Sequence, residues 1–370
     1  MNQVYRAGGV TYRPATHEDD EQLRKLLRDN AMDGWVKMSL EREPSYFAGH
    51  NLMGKTETII AHKDNDTLDT IGMYSCSFMK QHINGYTQEV GYLAGLRVNP
   101  LYRNKLRIVR QGYKSIHPLI THSDNPPIWV TSIAKENRRA RRLLEAGLKG
   151  MPHYKHIGEL DTLAFSSRLG RSYGLLQQAT ADDIPTLVAF YNRNVAKYQF
   201  SPVLEEQWLQ QLDGKHGLQL SDFYLFKENQ TIIGCIALWD QRAFKQVIAQ
   251  AYRFPANLLR SPYNAWAKLT RRITLPKSGH DLASIYLAFA VFPNDSKQAI
   301  CMLKEALYHA QSKRASAAVL SLSPQHPLHE AFTNKFIPMR YTTCIENVVL
   351  TGEPHHPINN TPVQPEAALL

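Results

Sequence analysis

The sequence predicts a mixed α/β fold, built as two tandem domains in which a mostly antiparallel sheet is flanked by helices. Two observations predict it. Each half of the chain reads as a hairpin of strands followed by a strand–helix–strand unit, an order that suits a mixed sheet. Several short phrases of the first half also return in the same order in the second half. Ordered repetition of this kind indicates a duplicated domain.

The first copy opens with a strand and a helix. Thr16 stands before three acidic residues, as a helix N-cap does, and leucines at helical spacing follow it. The next strand pair reads as a hairpin, and a third strand ends at Val98, where Pro100 breaks it. Strand signals of this copy lie at 58–62, 70–74, 90–98 and 128–132.

The second copy repeats this plan with an insertion. The matching segments are 15–20 with 179–184, 70–74 with 231–236, 98–100 with 291–293, 128–132 with 318–322 and 151–154 with 337–341. We therefore expect domains at 1–168 and 173–351, an insertion at 241–281 and a disordered tail at 352–370. Within the insertion, apolar residues follow the spacing of an amphipathic helix. They are Phe244, Val247, Ile248, Ala251 and Tyr252.

Composition excludes several classes of protein. The hydrophobic fraction is 43% and the longest apolar runs are far shorter than a membrane span. The first nine residues lack the apolar core of a signal peptide. The four cysteines are scattered without metal-ligand spacing, so we expect reduced thiols, a cytoplasmic protein and no metal site. The net charge of +10 suits a polyanionic partner such as a nucleotide-containing cofactor.

The stretch 89–108 is the candidate anion site. A strand ends at Val98, a basic turn follows at 103–105, and a helical pattern begins there. A helix N-terminus offers free N–H groups and the positive end of its dipole to an anion. A plain connection with a solvated basic face would have the same local sequence.

Residues 98–103 read Val-Asn-Pro-Leu-Tyr-Arg, and a second strand at 129–133 leads to a helix that starts with Asn137. This order resembles the GCN5-related N-acetyltransferase superfamily in two tandem copies, the second one degenerate. The resemblance implies an acyl-coenzyme A cofactor, most simply acetyl-coenzyme A, held by backbone amides of the loop after the first strand. It implies these cofactor-binding residues: Leu96, Arg97, Val98, Arg103, Asn104, Lys105, Leu106, Arg107, Ile108, Thr131 and Asn137.

The phosphate loop departs from the family pattern. Leu106 and Ile108 stand where the family has small residues, so these side chains must turn away or the loop must be reshaped. In the second copy Asp295 lies where phosphate would bind. A carboxylate there repels the cofactor, so we expect the second copy not to bind it, and Asp295 or Ser296 to cap a helix.

The expected chemistry is direct attack of an amine on the thioester, aided by a backbone N–H near Arg97 or Val98. Glu89 matches a position where the family often places a base, although an edge-strand acid without a role would look the same. The family's tyrosine acid is absent, because that position is Leu144. Tyr92, Tyr102 or Tyr154 could substitute for it, or could serve in packing.

Three functions fit the sequence. The first is an acyl-coenzyme A-dependent N-acetyltransferase acting on a small-molecule or peptide amine. The second is a non-catalytic binding or regulatory protein that keeps both folds. The third is a transferase that takes its donor from aminoacyl-tRNA, although no RNA-binding motif supports it. We expect no nucleic-acid and no membrane partner. The acceptor is expected to contact the loops 33–47 and 241–281.

Overall fold

The computed structural model describes residues 3–32, 34–64, 66–103, 105–120 and 128–370, without the side chains of 67–69. The strands of the first half are β1 Tyr5–Ala7, β2 Val10–Pro14, β3 Val36–Glu41, β4 Lys55–Lys63, β5 Asp66–Ile83, β6 Tyr86–Val98, β7 Trp129–Ala134 and β8 His153–Ser166. Those of the second half are β9 Leu176–Gln178, β10 Ser201–Pro202, β11 Phe223–Glu228, β12 Thr231–Trp239, β13 Gln246–Tyr252, β14 His280–Asp281, β15 Ser284–Val291, β16 Ala317–Leu322 and β17 Met339–Val349. The helices are α1 Asp20–Asp29, α2 Leu106–Lys114, α3 Ile116–Leu119, α4 Arg138–Leu144, α5 Ile184–Val195, α6 Glu206–Gln210, α7 Ala256–Leu269, α8 Ser296–Ser312 and α9 His329–Phe336.

One large sheet runs through the molecule. Its strand order is β1-β2-β4-β5-β6-β7-β17-β8-β16-β15-β12-β11-β9, and β10 adds to β5. The same pattern is found from both ends of the sheet. An antiparallel hairpin, β4–β5 or β11–β12, is followed by two strands that pair in parallel, β6 with β7 or β15 with β16. All other pairings in this sheet are antiparallel, which confirms the predicted fold class of a mostly antiparallel mixed sheet in tandem copies.

The two copies exchange their last strands. β17, from the end of the second half, pairs with β7 of the first half, and β8 pairs with β16 of the second half. β8 and β17 also pair with each other along their length. Each half therefore completes its sheet with a strand from the other, and one continuous set of backbone hydrogen bonds joins them.

The repeated phrases adopt the same local structure. Thr16 and Thr180 both begin a helical segment, and each backbone N–H donates to an aspartate three residues on, Asp19 at 2.8 Å and Asp183 at 3.0 Å. These capping boxes satisfy backbone groups that a helix start leaves unpaired. Helices then cover both faces of the sheet. In the first half α2 and α3 pack on one apolar face and α1 on the other, and in the second half α8 and α9 pack opposite α5 and α6.

A second, small sheet connects the halves outside the main one. β13, from the insertion, pairs with β3 of the first copy and with β14. The amphipathic helix predicted across Phe244–Tyr252 is therefore wrong, because Gln246–Tyr252 is a strand. Its β-branched pair Val247 and Ile248 suits a strand, and its partner strand lies about 200 residues earlier, beyond the reach of local periodicity. The helix of the insertion is α7, further along.

The tail predicted to be disordered is packed against the body. Val363 and Ala368 are buried, and Gln364 N–H donates to Gln199 O at 2.8 Å while Gln199 N–H donates to Pro362 O at 2.9 Å. The proline content of 352–370 suggested disorder. Instead, this segment is held by hydrogen bonds to the body and by local turns, such as the one in which Leu369 N–H donates to Glu366 O at 2.9 Å.

Candidate active site

The first candidate cleft lies where β6 and β7 separate. The two strands pair in parallel only at Gly91–Trp129 and Tyr92–Val130, and then diverge. We call the opening between residues 93–98 and 131–134 the first splay. Its apex is held by Thr131 Oγ1, which donates to Leu93 O at 2.7 Å. Strands that diverge leave backbone N–H and C=O groups that an extended ligand can use.

A bulge in β6 shapes the wall of the first splay. Met73 pairs with Arg97 and Ser75 with Ala94, so β6 carries one extra residue there. Gly95 takes a φ of +63°, and a Cβ on it would lie 3.3 Å from Ser75 Oγ. Such a bulge re-aims the backbone of a strand, and glycine allows it without strain.

Polar groups line the strand next to this bulge. Ser75 Oγ lies 3.0 Å from the hydroxyl of Tyr46 and 3.0 Å from Thr58 Oγ1. At the apex, Tyr92 Oη lies 2.6 Å from Ser132 Oγ and joins the two diverging strands. Burial raises the pKa of Tyr92 to about 12, so its hydroxyl stays protonated at neutral pH.

The wall around the bulge also carries cations. Burial lowers the pKa of Arg97, which lies close enough to Arg42, Tyr46 and Tyr341 to interact electrostatically with them. The Arg42 guanidinium sits 5.0 Å from the centre of the Tyr46 ring. Burial and the charge of Arg42 also lower the pKa of Lys245 to about 7. Burial close to the Arg42 charge therefore disfavours a further positive charge, although Glu366 partly offsets this effect at Lys245.

The helix after the first splay has an open N-terminus. α2 begins at Leu106, and its N-cap, Lys105, makes no side-chain capping hydrogen bond. No acidic residue lies in its first turn. Arg103 and Lys105 are exposed beside it, Arg103 Nη2 donating to Asn30 Oδ1 at 3.0 Å. The first N–H groups of a helix have no partner within it, so this end is suited to an anion.

Leu106 and Ile108 do not obstruct that end. Ile108 is buried in the first-half core and Leu106 packs against the same core. Both belong to α2, not to a loop, and Ile108 N–H donates to Lys105 O at 2.9 Å. Of the two alternatives in the sequence, the side chains turn away and the helix N-terminus stays accessible.

The equivalent opening in the second copy is filled by the chain's own tail. β15 and β16 pair at 284–286 with 317–319 and then diverge. We call the opening beyond them the second splay. Gln364 lies in it: Ser323 N–H donates to its Oε1 at 2.8 Å and its Nε2 donates to Ser321 O at 2.8 Å. The tail thus occupies the place that corresponds to the open cleft of the first copy.

The bulge of the second copy is closed as well. β15 carries an extra residue at Phe289, which has a φ of +50° and is fully buried. Its backbone N–H donates to Glu366 Oε2 at 2.8 Å. Burial raises the pKa of Glu366. In the first copy, by contrast, Leu96 next to the bulge is 38% exposed.

The helix after the second splay is capped. Asp295 Oδ1 accepts a hydrogen bond from Gln298 N–H at 2.9 Å at the start of α8. The carboxylate expected there thus caps the helix, as the sequence suggested. It fills one of the N–H positions that an anion would use and adds a negative charge. The two copies differ at the same three points: splay, bulge and helix start.

Comparison with solved structures identifies this architecture. The chain is similar to N-myristoyltransferase from Saccharomyces cerevisiae with bound myristoyl-CoA, with a TM-score of 0.58, 9% identity, and 96% of this chain and 88% of that one covered. The chain therefore has the fold of this N-myristoyltransferase. A structure of the same yeast enzyme with myristoyl-CoA and inhibitors has a TM-score of 0.57 and 10% identity, with 94% of this chain and 82% of that one covered.

A GCN5-related N-acetyltransferase from Anabaena variabilis has a TM-score of 0.49 and 11% identity, with 92% of this chain and 73% of that one covered. No protein-family model matches the sequence, and no curated protein matches it either. At these identities the likeness concerns the fold. The resemblance read from the sequence is confirmed at that level.

Within this fold, the predicted site residues fall into two groups. Leu96, Arg97, Val98 and Thr131 line the first splay, and Arg103, Lys105 and Leu106 surround the start of α2. Asn104 lies outside the described residues. Arg107 extends towards Gly8 in the β1–β2 turn, away from the splay. Asn137 caps α4, its side chain accepting from Ala140 N–H at 3.1 Å.

Glu89 lies at a distance from this cleft. It pairs across β5–β6 with Lys80 and precedes the parallel pairing with β7. At about 3.3 Å per residue it is roughly 20 Å along the strand from Gly95. That separation argues against Glu89 as the base for chemistry at the bulge. Tyr154 packs against Tyr113 in the core, whereas Tyr92 sits at the apex of the first splay.

Three residues of the cleft were not singled out from the sequence, although Tyr46 belongs to the loop 33–47 that was expected to contact the acceptor. Tyr46, Ser75 and Thr58 form the polar chain beside the bulge, and they come from three separate segments. Gly95 within a strand pattern was a usable signal, because an isolated strand glycine often marks a bulge. Nothing local in the sequence brings Tyr46 or Ser75 to it.

One group of the described residues has metal-ligand character. His156, Cys344 and Glu346 hold their ligand atoms within 4.8 Å of one another. His156 Nδ1 and Glu346 Oε1 are 2.9 Å apart, which is an ion-pair distance. The group lies on β8 and β17, where Cys344 and Glu346 are the cross-strand partners of Ile133 and Thr131 on β7, and it plays no part in the chemistry below.

Proposed function

We propose that the chain is an acyl-coenzyme A-dependent N-acyltransferase whose donor binds in the first copy only. The observation that carries the proposal is the contrast between equivalent positions. The first copy has an open splay, a glycine bulge and an uncapped basic helix start, and the second has a filled splay, a buried bulge and a capped helix. Two copies of one fold with one closed by its own chain indicate one working site.

The residues of the first copy fit a nucleotide thioester. The free N–H groups at the start of α2, with Arg103 and Lys105 beside them, would hold the diphosphate. The diverging edges of β6 and β7 would hydrogen-bond an extended amide chain as a strand does. The bulge at Gly95 would turn a backbone N–H towards the carbonyl. When bound, the cofactor supplies an acyl group activated as a thioester.

The positive charges of Arg42 and Arg97 favour the unprotonated form of an acceptor amine in the first splay. An amine is nucleophilic only when it is unprotonated. Next to Arg42 and Arg97, and shielded from water, the pKa of such an amine is lowered, as burial and Arg42 lower that of Lys245, which lies against Tyr286 of the second copy. Much of the deprotonation is therefore supplied by the environment, and a strong base such as Glu89 is not required there.

We assign the proton donor to Tyr92. Its hydroxyl stays protonated and is held by Ser132 at the apex of the first splay. Tyr92 would take the role of the family's tyrosine acid, whose position in this chain is occupied by Leu144. It provides a proton to the sulfur that leaves when the acyl group is transferred. Acetyl-coenzyme A is the simplest donor. Because the yeast structure holds myristoyl-CoA, longer acyl chains belong in the same assay.

The test follows thiol release from acetyl- to myristoyl-coenzyme A with a panel of amines and amino-terminal peptides. We expect turnover that Arg103→Glu abolishes and that Lys297→Glu leaves intact. Lys297→Glu makes the same change from a positive to a negative charge at the start of α8, the equivalent helix of the second copy. Absence of turnover with every donor, or equal loss in both variants, would contradict the proposal and favour a non-catalytic role.

A further inference from the structure

Helix α7 of the insertion is fixed to the protein by its polar side. Tyr263 Oη donates to Ile273 O at 3.2 Å. Asn264 Nδ2 donates to Leu275 O at 2.9 Å, and Asn264 Oδ1 accepts from Leu275 N–H at 2.8 Å. Ala267, on the same side, is completely buried. These contacts set the rotation of the helix about its axis.

The apolar side of α7 therefore faces solvent. Leu258, Leu259, Trp266 and Leu269 are 65%, 57%, 50% and 85% exposed, and Phe254 just before the helix is 78% exposed. At 3.6 residues per turn, the four helical residues and Pro262 fall within an arc of about 100°. A surface helix of a globular protein normally turns such an arc inward. We call the set Phe254, Leu258, Leu259, Pro262, Trp266 and Leu269 the α7 face.

The segment that carries this face is basic throughout. From residue 242 to residue 280 the sequence contains eight lysines and arginines and no aspartate or glutamate. Lys268 and Arg271 are exposed at the end of the helix, and the Arg272 guanidinium lies 5.9 Å from the centre of the Trp266 ring. All the charged residues of this segment are thus positive.

We propose that the α7 face docks onto an anionic lipid surface. A helix with an apolar arc of leucine and tryptophan and a basic border lies in the plane of a membrane interface, and anionic headgroups complement its charge. A second copy of the chain fits less well, because a symmetric contact would bring the two basic borders together. No helix in the described part of the chain is long and apolar enough to cross a membrane.

This contact is peripheral, and it replaces the expectation of no membrane partner. It rests on the α7 face alone and does not depend on the proposed function. The membrane contact is nevertheless linked to the proposed site through β17. Arg272 Nη1 donates to Ile337 O at 2.8 Å, just before β17. The exposed Tyr341 of β17 interacts electrostatically with Arg97 of the first splay. Docking through α7 would bring this side of the cleft towards the membrane.

The experiment measures sedimentation of the full chain with vesicles. One set is phosphatidylcholine with about one-third phosphatidylglycerol, and the other is phosphatidylcholine alone. We expect binding to the anionic set, weakened by salt. Leu258→Gln/Leu269→Gln should reduce it by about tenfold or more, because it removes the insertion while keeping every charge. Tyr86→Gln, which removes a 73% exposed aromatic elsewhere, should bind like the wild type.

Three results would overturn the proposal. The wild type could fail to bind anionic vesicles, or the double variant could bind them as well as the wild type does, which would leave net charge as the cause. Light scattering could also reveal a dimer that the double variant loses, which would assign the α7 face to a second copy. Both leucines are exposed, so unchanged thermal melting of the double variant confirms that it is folded.

Discussion

Lys105→Asp should stabilise the folded protein and abolish coenzyme A binding at the same time. Lys105 is the uncapped N-cap of α2, and Asp295 is the capping residue of α8 in the second copy. An aspartate cap contributes about 1 kcal/mol, and its charge at the helix dipole adds about 0.5 kcal/mol. Loss of the contact between Lys105 and the Tyr102 ring, 4.8 Å apart, costs about 0.5 kcal/mol at an exposed site.

The net gain is therefore about 1 kcal/mol, which for a chain of this length raises the melting temperature by about 1 °C. The same carboxylate occupies the amides that the diphosphate would use, so the stabilisation by coenzyme A should vanish. Differential scanning calorimetry with and without millimolar coenzyme A measures both effects. Lys105→Gln is the control, because it removes the charge and the ring contact without adding a cap. A full coenzyme A shift in Lys105→Asp would refute the assignment of α2 as the diphosphate site.

Four further variants test other parts of the account. Gly95→Ala should cost about 1 kcal/mol, because φ is +63° there, and should weaken donor binding measured by titration calorimetry. Tyr92→Phe should lower kcat about a hundredfold with little change in KM, and unchanged kcat would remove Tyr92 as proton donor. Glu366→Ala should cost about 2 kcal/mol in urea unfolding, because it leaves the Phe289 N–H unpaired. Burial raises the pKa of Glu366 from 4.5 to about 7, so between these pH values the folded protein keeps a proton that the unfolded chain releases. The contribution of Glu366 to the free energy of unfolding therefore falls as the pH rises from 4.5 to 7. Glu366→Gln should remove this dependence of stability on pH.

Patterns set by neighbouring residues predicted most of the architecture. The strand that ends before Pro100, the helix beyond it and the Thr16 and Thr180 helix starts each depend on a few adjacent side chains. The internal repeat joined them into two copies. These features survive folding because local geometry and tertiary structure require the same residues.

Features set by distant partners were not predictable. Gln246–Tyr252 is a strand because β3 pairs with it, and the tail is ordered because the second splay accepts it. Ser75 reaches the Gly95 bulge through the pairing of β5 with β6, and Tyr46, between β3 and β4, reaches it through its hydrogen bond with Ser75. Tertiary contacts override local spacing in each case.

The single-site claim is tested most directly by isothermal titration of the chain with coenzyme A. The account predicts one binding site per chain, lost in Arg103→Glu and retained in the matched Lys297→Glu variant. Two sites per chain, or a single site that is lost in Lys297→Glu and kept in Arg103→Glu, would contradict the claim that the first copy alone binds the donor.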